Sequence, residues 1–269
     1  MQKNKGATNV LKRRWAAFAA LLLLGAGAYF LYQMVYKGDA EEQRQQEDEL
    51  AEEETGRGDY MEFFEQQAQE NGELRVAVIG SSVARGMGAS STATSWAGLL
   101  KSDLESREEL SETTITFGNF GMNGYKANDL LEQGIVDSLI QARPDFIVFE
   151  TSVINSYRQG EALDTTVESI DTLMKQLEAE LPEAEIVVIS PNPLETSSAN
   201  IRGNTYLDYL TETQEHIIEN EWNYVDSYTE IEAERQEQGY DIDDILDDGV
   251  HPNDTGYSMW YNVLERYLF

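Results

Sequence analysis

The chain has no cysteine among its 269 residues. Disulfides, thiolate nucleophiles, cysteine-ligated zinc and a lipid-modified N-terminal cysteine are therefore excluded. Histidine is nearly as scarce, with two residues. That is too few for a histidine-rich metal site, so no metal and no cofactor is expected. Basic residues are few: 19 Lys and Arg stand against 50 Asp and Glu, for a formal net charge of −31. Such a surface repels nucleic acid, so no nucleic-acid partner is expected. Two readings of the excess acid stay open. One is solubility; the other is adaptation of an exported domain to high salt, where screening weakens self-repulsion.

One long hydrophobic run is present. Residues 15–36, WAAFAALLLLGAGAYFLYQMVY, are 22 positions without a charge, and about 20 suffice to cross a bilayer as helix. Lys3, Lys5, Lys12, Arg13 and Arg14 precede it, and GDAEEQRQQEDELAEEE follows it. The positive flank belongs in the cytoplasm. Residues 1–14 are thus expected to be cytoplasmic, 15–36 to be a transmembrane signal anchor, and the rest to be extracytoplasmic at the cell membrane. Trp15, Tyr32 and Tyr36 fall where interfacial aromatics sit. The alternative is a signal peptide cleaved near Ala28, after Ala26-Gly27-Ala28, which would release a secreted protein. The apolar run continues eight residues past Ala28, which favours the anchor.

Residues 37–72 are rich in Glu and Gln and read as an acidic spacer, solvated and either helical or disordered. Met61, Phe63 and Phe64 could dock a turn, but the composition favours a fluctuating stalk. From residue 73 the pattern changes. LRVAVIG (74–80), TITFGNFG (114–121), DFIVFET (145–151), EIVVISP (185–191) and the weaker NYVDS (223–227) are short apolar runs. Runs of this kind, rich in Val and Ile, suit strands covered on both faces. Helical patterns alternate with them at 95–107, 126–142, 162–181, 205–222 and 256–269. The helix at 126–142 continues in this reading despite Gly134, and the one at 162–181 stops before Pro182. The alternation implies an α/β fold: a three-layer α/β/α sandwich on a mostly parallel sheet of about five strands, preceded by one transmembrane helix. Sites in such folds form at the carboxyl ends of strands.

Ser81 and Ser82 stand at the end of the first run, in GSSVARGMG (80–88). A serine hydroxyl needs a base to act as a nucleophile, and the base benefits from an orienting carboxylate. His216, in TETQEHIIENEW, reads as a surface histidine in mid-helix. His251 precedes Pro252, which pushes it out of helical conformation. Asp248, three residues earlier, can curl back onto one ring nitrogen and leave the other for a serine. The structural alternatives remain open at this point. Ser82 could cap a turn, Asp248 could be an Asx-turn acid, Asn155 could tie down its own loop, and Gly124 could supply a positive φ. Asn253 or Asp254 is expected to cap the last helix. Trp96 and Trp260 read as core. Arg85 either binds substrate or pairs with carboxylates.

Four blocks, VAVIGSSVARGMGAS, NFGMNGYKAND, FETSVINSY and DDGVHPNDTGY, in that order, resemble the SGNH, or GDSL, hydrolase family. The resemblance runs from about Leu74 to the C-terminus and implies a hydrolase domain over 73–269. It places the nucleophile on Ser82, with Ser81 where the family has aspartate. It places the base on His251, the acid on Asp248, and the oxyanion donors on the amides of Ser82 and Gly124 and the side chain of Asn155. Val153-Ile154 and Ser156 depart from the family's third block. The Gly-x-Ser-x-Gly elbow of α/β-hydrolases is not matched, since Ala84 holds its last place. The resemblance implies a serine esterase acting on carboxylic esters, acetyl esters among them, of a small molecule or a glycan; the run at 15–36 adds that it is membrane-anchored and extracytoplasmic. An O-acyltransferase acting on cell-envelope glycans and a catalytically inactive glycan-binding module are the alternatives.

Overall fold

The computed structural model describes residues 60–195 and 198–269. The anchor at 15–36, its basic flank, the site near Ala28 and the spacer up to residue 59 lie outside the described residues. Among the described residues no helix is long and apolar enough to cross a membrane.

The described chain begins with α1 (Tyr60–Asn71), β1 (Glu73–Gly80), the short α2 (Ser82–Arg85), α3 (Trp96–Ser106) and β2 (Thr114–Gly121). It continues through α4 (Ala127–Glu132), α5 (Ile135–Ala142), β3 (Phe146–Glu150), α6 (Val153–Gln159), α7 (Leu163–Glu180) and β4 (Glu185–Ile189). The last elements are α8 (Tyr206–Glu219), β5 (Tyr224–Val225), α9 (Ser227–Glu237), α10 (Ile242–Ile245) and α11 (Asp254–Leu268). The five strands form one sheet in the order β2-β1-β3-β4-β5. Every neighbouring pair is parallel.

Side chains alternate across the sheet, as the pleat requires. Val76, Val78, Phe146, Val148, Val187 and Ile189 join one buried cluster, with α1, α3 and α11. Ala77, Ile79, Ile147, Phe149, Ile186 and Val188 join the other, with α4 to α8. Two covered faces explain why these runs are continuously apolar. The sheet edge behaves differently: Thr114, Thr116 and Asn119 of β2 are exposed. Leaving β1, the chain first builds β2 on one side and then crosses to β3 on the other. This reversal opens a crevice at the carboxyl ends of β1 and β3.

Three expectations need correction. The helix expected over 126–142 is two helices, because Gly134 takes φ +70°, a left-handed conformation that breaks the helical ladder. The run 223–227 pairs over two residues only. The third concerns residues 60–71, read as part of the spacer. They form α1, and Tyr60 and Phe64 are buried in the core. Their rings lie 5.2 and 4.9 Å from that of Phe146. Burying an aromatic ring is worth about 1.5–3 kcal/mol, which outweighs the polar composition of the segment. Trp96 and Trp260 stack 5.7 Å apart with no exposure, as core residues.

Candidate active site

The site begins where β1 meets α2. Gly80 ends the strand against β3 so closely that a Cβ there would lie 2.7 Å from both the carbonyl and Oε2 of Glu150. Only glycine allows this approach. Ser81 then caps α2, its hydroxyl accepting from the Val83 amide at 3.3 Å. Ser82 is the first residue of that helix, so its own N–H has no intrahelical partner.

Across the crevice lies the segment before α11. Gly249 at φ +79° turns the chain so that Asp248 curls back on His251. Asp248 Oδ1 accepts from the amides of His251 at 2.8 Å and Val250 at 3.1 Å. Asp248 Oδ2 lies 2.8 Å from His251 Nδ1. His251 Nε2 lies 3.0 Å from Ser82 Oγ. Partial burial acts to raise the Asp248 pKa, but the hydrogen bonds from the His251 amide and ring, the imidazole charge and the Val250 amide outweigh it. The carboxyl is held below its usual range. An ionised Asp248 accepts the proton on Nδ1, which leaves the Nε2 lone pair facing the serine hydroxyl. Ser82 and His251 are both nearly buried.

Helix α6 holds the neighbouring loop. Asn155 Nδ2 donates to the Tyr125 carbonyl at 2.8 Å, and Gln159 Nε2 to the Gly124 carbonyl at 2.8 Å. Asn155 thus ties down a loop, but the loop after β2 rather than its own. One of its two amide hydrogens is committed there. Gly124 takes φ +77°. Its N–H has no protein acceptor among the described residues. His216 stands apart on α8, with Nε2 at 3.0 Å from Asp171 Oδ1 and its ring edge-on to Trp222. Asn253 caps α11, accepting from the Thr255 and Gly256 amides.

Sequence reasoning missed Glu150. This carboxyl is fully buried, with Oε2 accepting the Ser81 amide and Oε1 the Ser152 amide, each at 2.7 Å. No cation pairs with it among the described residues. Burial pushes its pKa up, against the hydrogen bonds from Ser81 and Ser152. It braces Ser152, a non-glycine residue at φ +62°. The signal was an acid closing the apolar run FIVFE, where a charge is anomalous. Tyr257 was also missed: its hydroxyl donates to the Met87 carbonyl at 2.6 Å and pins the segment after α2.

A family model described as the GDSL-like Lipase/Acylhydrolase family matches residues 78–259, a span that includes Ser82, Gly124, Asn155, Asp248 and His251. No curated protein sequence matches the chain. Its fold is similar to that of a two-domain esterase active on acetylated mannans, with TM-score 0.61 and 16% identity over 75% of this chain and 51% of that one. The chain thus spans about half the length of that esterase. It is also similar to a protein described as a GDSL-like lipase from Parabacteroides merdae, with TM-score 0.58 and 18% identity over 72% of this chain and 95% of that one. A catalytic mutant of an acetylxylan esterase from Geobacillus stearothermophilus gives TM-score 0.58 and 17% identity over 72% and 93%. Likeness at these identities carries the fold, and the match over 78–259 carries the family. The chain belongs to the GDSL-like Lipase/Acylhydrolase family, whose members are serine hydrolases acting on ester bonds.

Proposed function

We propose that the chain is a serine esterase that removes acetyl groups from glycans, held at the outer face of the cell membrane by residues 15–36. The observation that carries the chemistry is the unbroken line from Asp248 through His251 to Ser82, at 2.8 and 3.0 Å. Ser82 Oγ attacks the ester carbonyl while His251 Nε2 takes its proton. Asp248 stabilises the imidazolium that forms. The sugar hydroxyl leaves with that proton, and the acyl group stays on Ser82. A water then gives its proton to His251 and attacks the acyl carbon, and free acid leaves as the Ser82 hydroxyl is restored.

Negative charge develops on the carbonyl oxygen in both steps. The unpaired N–H groups of Ser82 and Gly124 are the donors we assign to it, with the second amide hydrogen of Asn155 as a third. One such donor is typically worth about 3 kcal/mol. The acetyl-glycan assignment draws on the similar solved structures described as esterases of acetylated mannans and acetylxylan. The anchor rests on the uncharged run and its basic flank.

A fluorophosphonate tests the assignment directly. It should label Ser82, and Ser82→Ala should abolish both labelling and turnover of 4-nitrophenyl acetate. Label on another serine, or unchanged turnover in Ser82→Ala, removes the assignment. For the anchor, the chain should stay with membranes through a high-salt wash and leave with detergent; release by salt alone contradicts it.

A further inference from the structure

A groove of about 610 Å³ follows the free edge of the sheet, between α3 and β2. Two elements set its length independently. Along α3 its wall runs from Ala97 to Glu105, roughly 12 Å at 1.5 Å per residue. Along β2 it uses Phe117, Asn119 and Gly121, alternate residues on one face that span roughly 13 Å. This is room for an extended oligomer rather than for one small group.

One end of the groove reaches the nucleophile turn. Gly121 lies so close to the Arg85 backbone amide that no Cβ would fit between them. Met122 N–H donates to the Gly80 carbonyl at 2.9 Å. Arg85, which lines the groove, closes the same four-residue helix that Ser82 opens.

The charge in the groove runs against that of the molecule. Arg85 is exposed and makes no ion pair among the described residues, in a chain of 50 acidic residues. Lys101 faces Glu105 at 3.6 Å, with both side chains about half exposed. Two cations against one acid leave the groove net positive. A guanidinium with a free fork takes a carboxylate in bidentate geometry.

We propose that this groove is a subsite for an acidic glycan. The acyl group would sit at Ser82 and the carboxylate of a neighbouring sugar acid on Arg85, with Lys101 receiving a second carboxylate further along. This rests on the serine-esterase reading and names its substrate class: an acetylated polyuronate rather than a neutral mannan or xylan. The net charge of −31 repels such a polymer at a distance. That repulsion is screened as the Debye length falls from about 10 Å at 0.1 M salt to about 3 Å at 1 M, whereas a pair in contact inside the groove is weakened less than the repulsion at a distance.

The test uses the full chain in detergent, carrying Ser82→Ala so that ligands are not consumed, in 0.5–1 M sodium chloride (about the range where screening is short). Calorimetry compares an acetylated oligogalacturonate with an acetylated xylo-oligosaccharide. The acidic ligand should bind at least about tenfold more tightly, equivalent to the 1.4 kcal/mol of one decade. Arg85→Gln combined with Lys101→Gln should erase that preference. Arg143→Gln, which removes a charge outside the groove, should keep it. Equal affinity for the two ligands, or a preference that survives the double substitution, overturns the proposal. Failure of the unsubstituted chain to turn over 4-nitrophenyl acetate would instead sink the esterase reading, while the binding preference would still report on the groove by itself.

Discussion

Glu150 Oε2 accepts the backbone N–H of Ser81 at 2.7 Å, one residue ahead of Ser82. Its other oxygen accepts from Ser152. One buried carboxyl thus bolts the turn after β1 to the turn after β3, the two strands that border the crevice. In Glu150→Gln one oxygen becomes an amide that faces a backbone N–H, which should cost about 1–3 kcal/mol. The cost should depend on pH. Burial raises the Glu150 pKa above its ordinary 4.5, so the folded protein favours the protonated form. Stability from this group is present below that ordinary value and is lost as pH rises through the raised one. The gap in melting temperature between the native chain and Glu150→Gln should therefore narrow from about pH 4.5 upward. Thermal melts across pH 4.5 to 8 (about the native range) check this, and a gap that widens contradicts it.

The triad has its own signature. Ser82→Ala and His251→Ala should each lower kcat by at least roughly a thousandfold, and Asp248→Asn by roughly 10²- to 10⁴-fold through the wrong tautomer. KM should change little, because in the proposed mechanism these groups act on the reacting atoms. Steady-state kinetics on a soluble acetate ester separates the two parameters.

Two glycines near the site should answer differently to alanine. At Gly124 nothing lies within 4 Å of a new Cβ, so Gly124→Ala carries only the strain of φ +77°, about 1–2 kcal/mol. Its amide remains, and much of kcat should remain with it. At Gly88 a Cβ would press on the Pro252 carbonyl and lie 2.9 Å from His251 Cβ. Gly88→Ala should displace the imidazole from Ser82 and lower kcat at least about tenfold, because misplacement by even an ångström is costly. Activity and melting temperature of the two variants, measured together, decide the matter.

The folded unit should depend on α1. Phe64→Ala empties a fully buried site and should cost about 3–5 kcal/mol. A chain cut to begin at residue 73 should melt well below one that keeps residues 60–72. Urea unfolding of the two would show it, and equal midpoints would refute the role of α1.

Much of this protein was decided locally. The apolar runs at 74–80, 145–151 and 185–191 became central strands because a strand covered on both faces must be apolar at every position. The caps at Ser95, Thr205 and Asn253 and the stop before Pro182 set helix ends within a residue or two. Asp248 and His251 meet because they are three residues apart with Gly249 between them. The tertiary structure decided what lies far apart in the chain. Ser82 and His251 are 169 residues apart, and only the order of five strands brings them together. Glu150 could not be assigned from its neighbours alone, since one of its two partners, Ser81, comes from a different turn. Residues 60–71 looked like spacer because their composition is polar, yet two aromatic rings found a hole beside Phe146 that exists only after the sheet has formed. Hydrophobic period and capping act over a few residues and can be read along the chain, whereas burial and long-range hydrogen bonds depend on partners that the fold alone supplies.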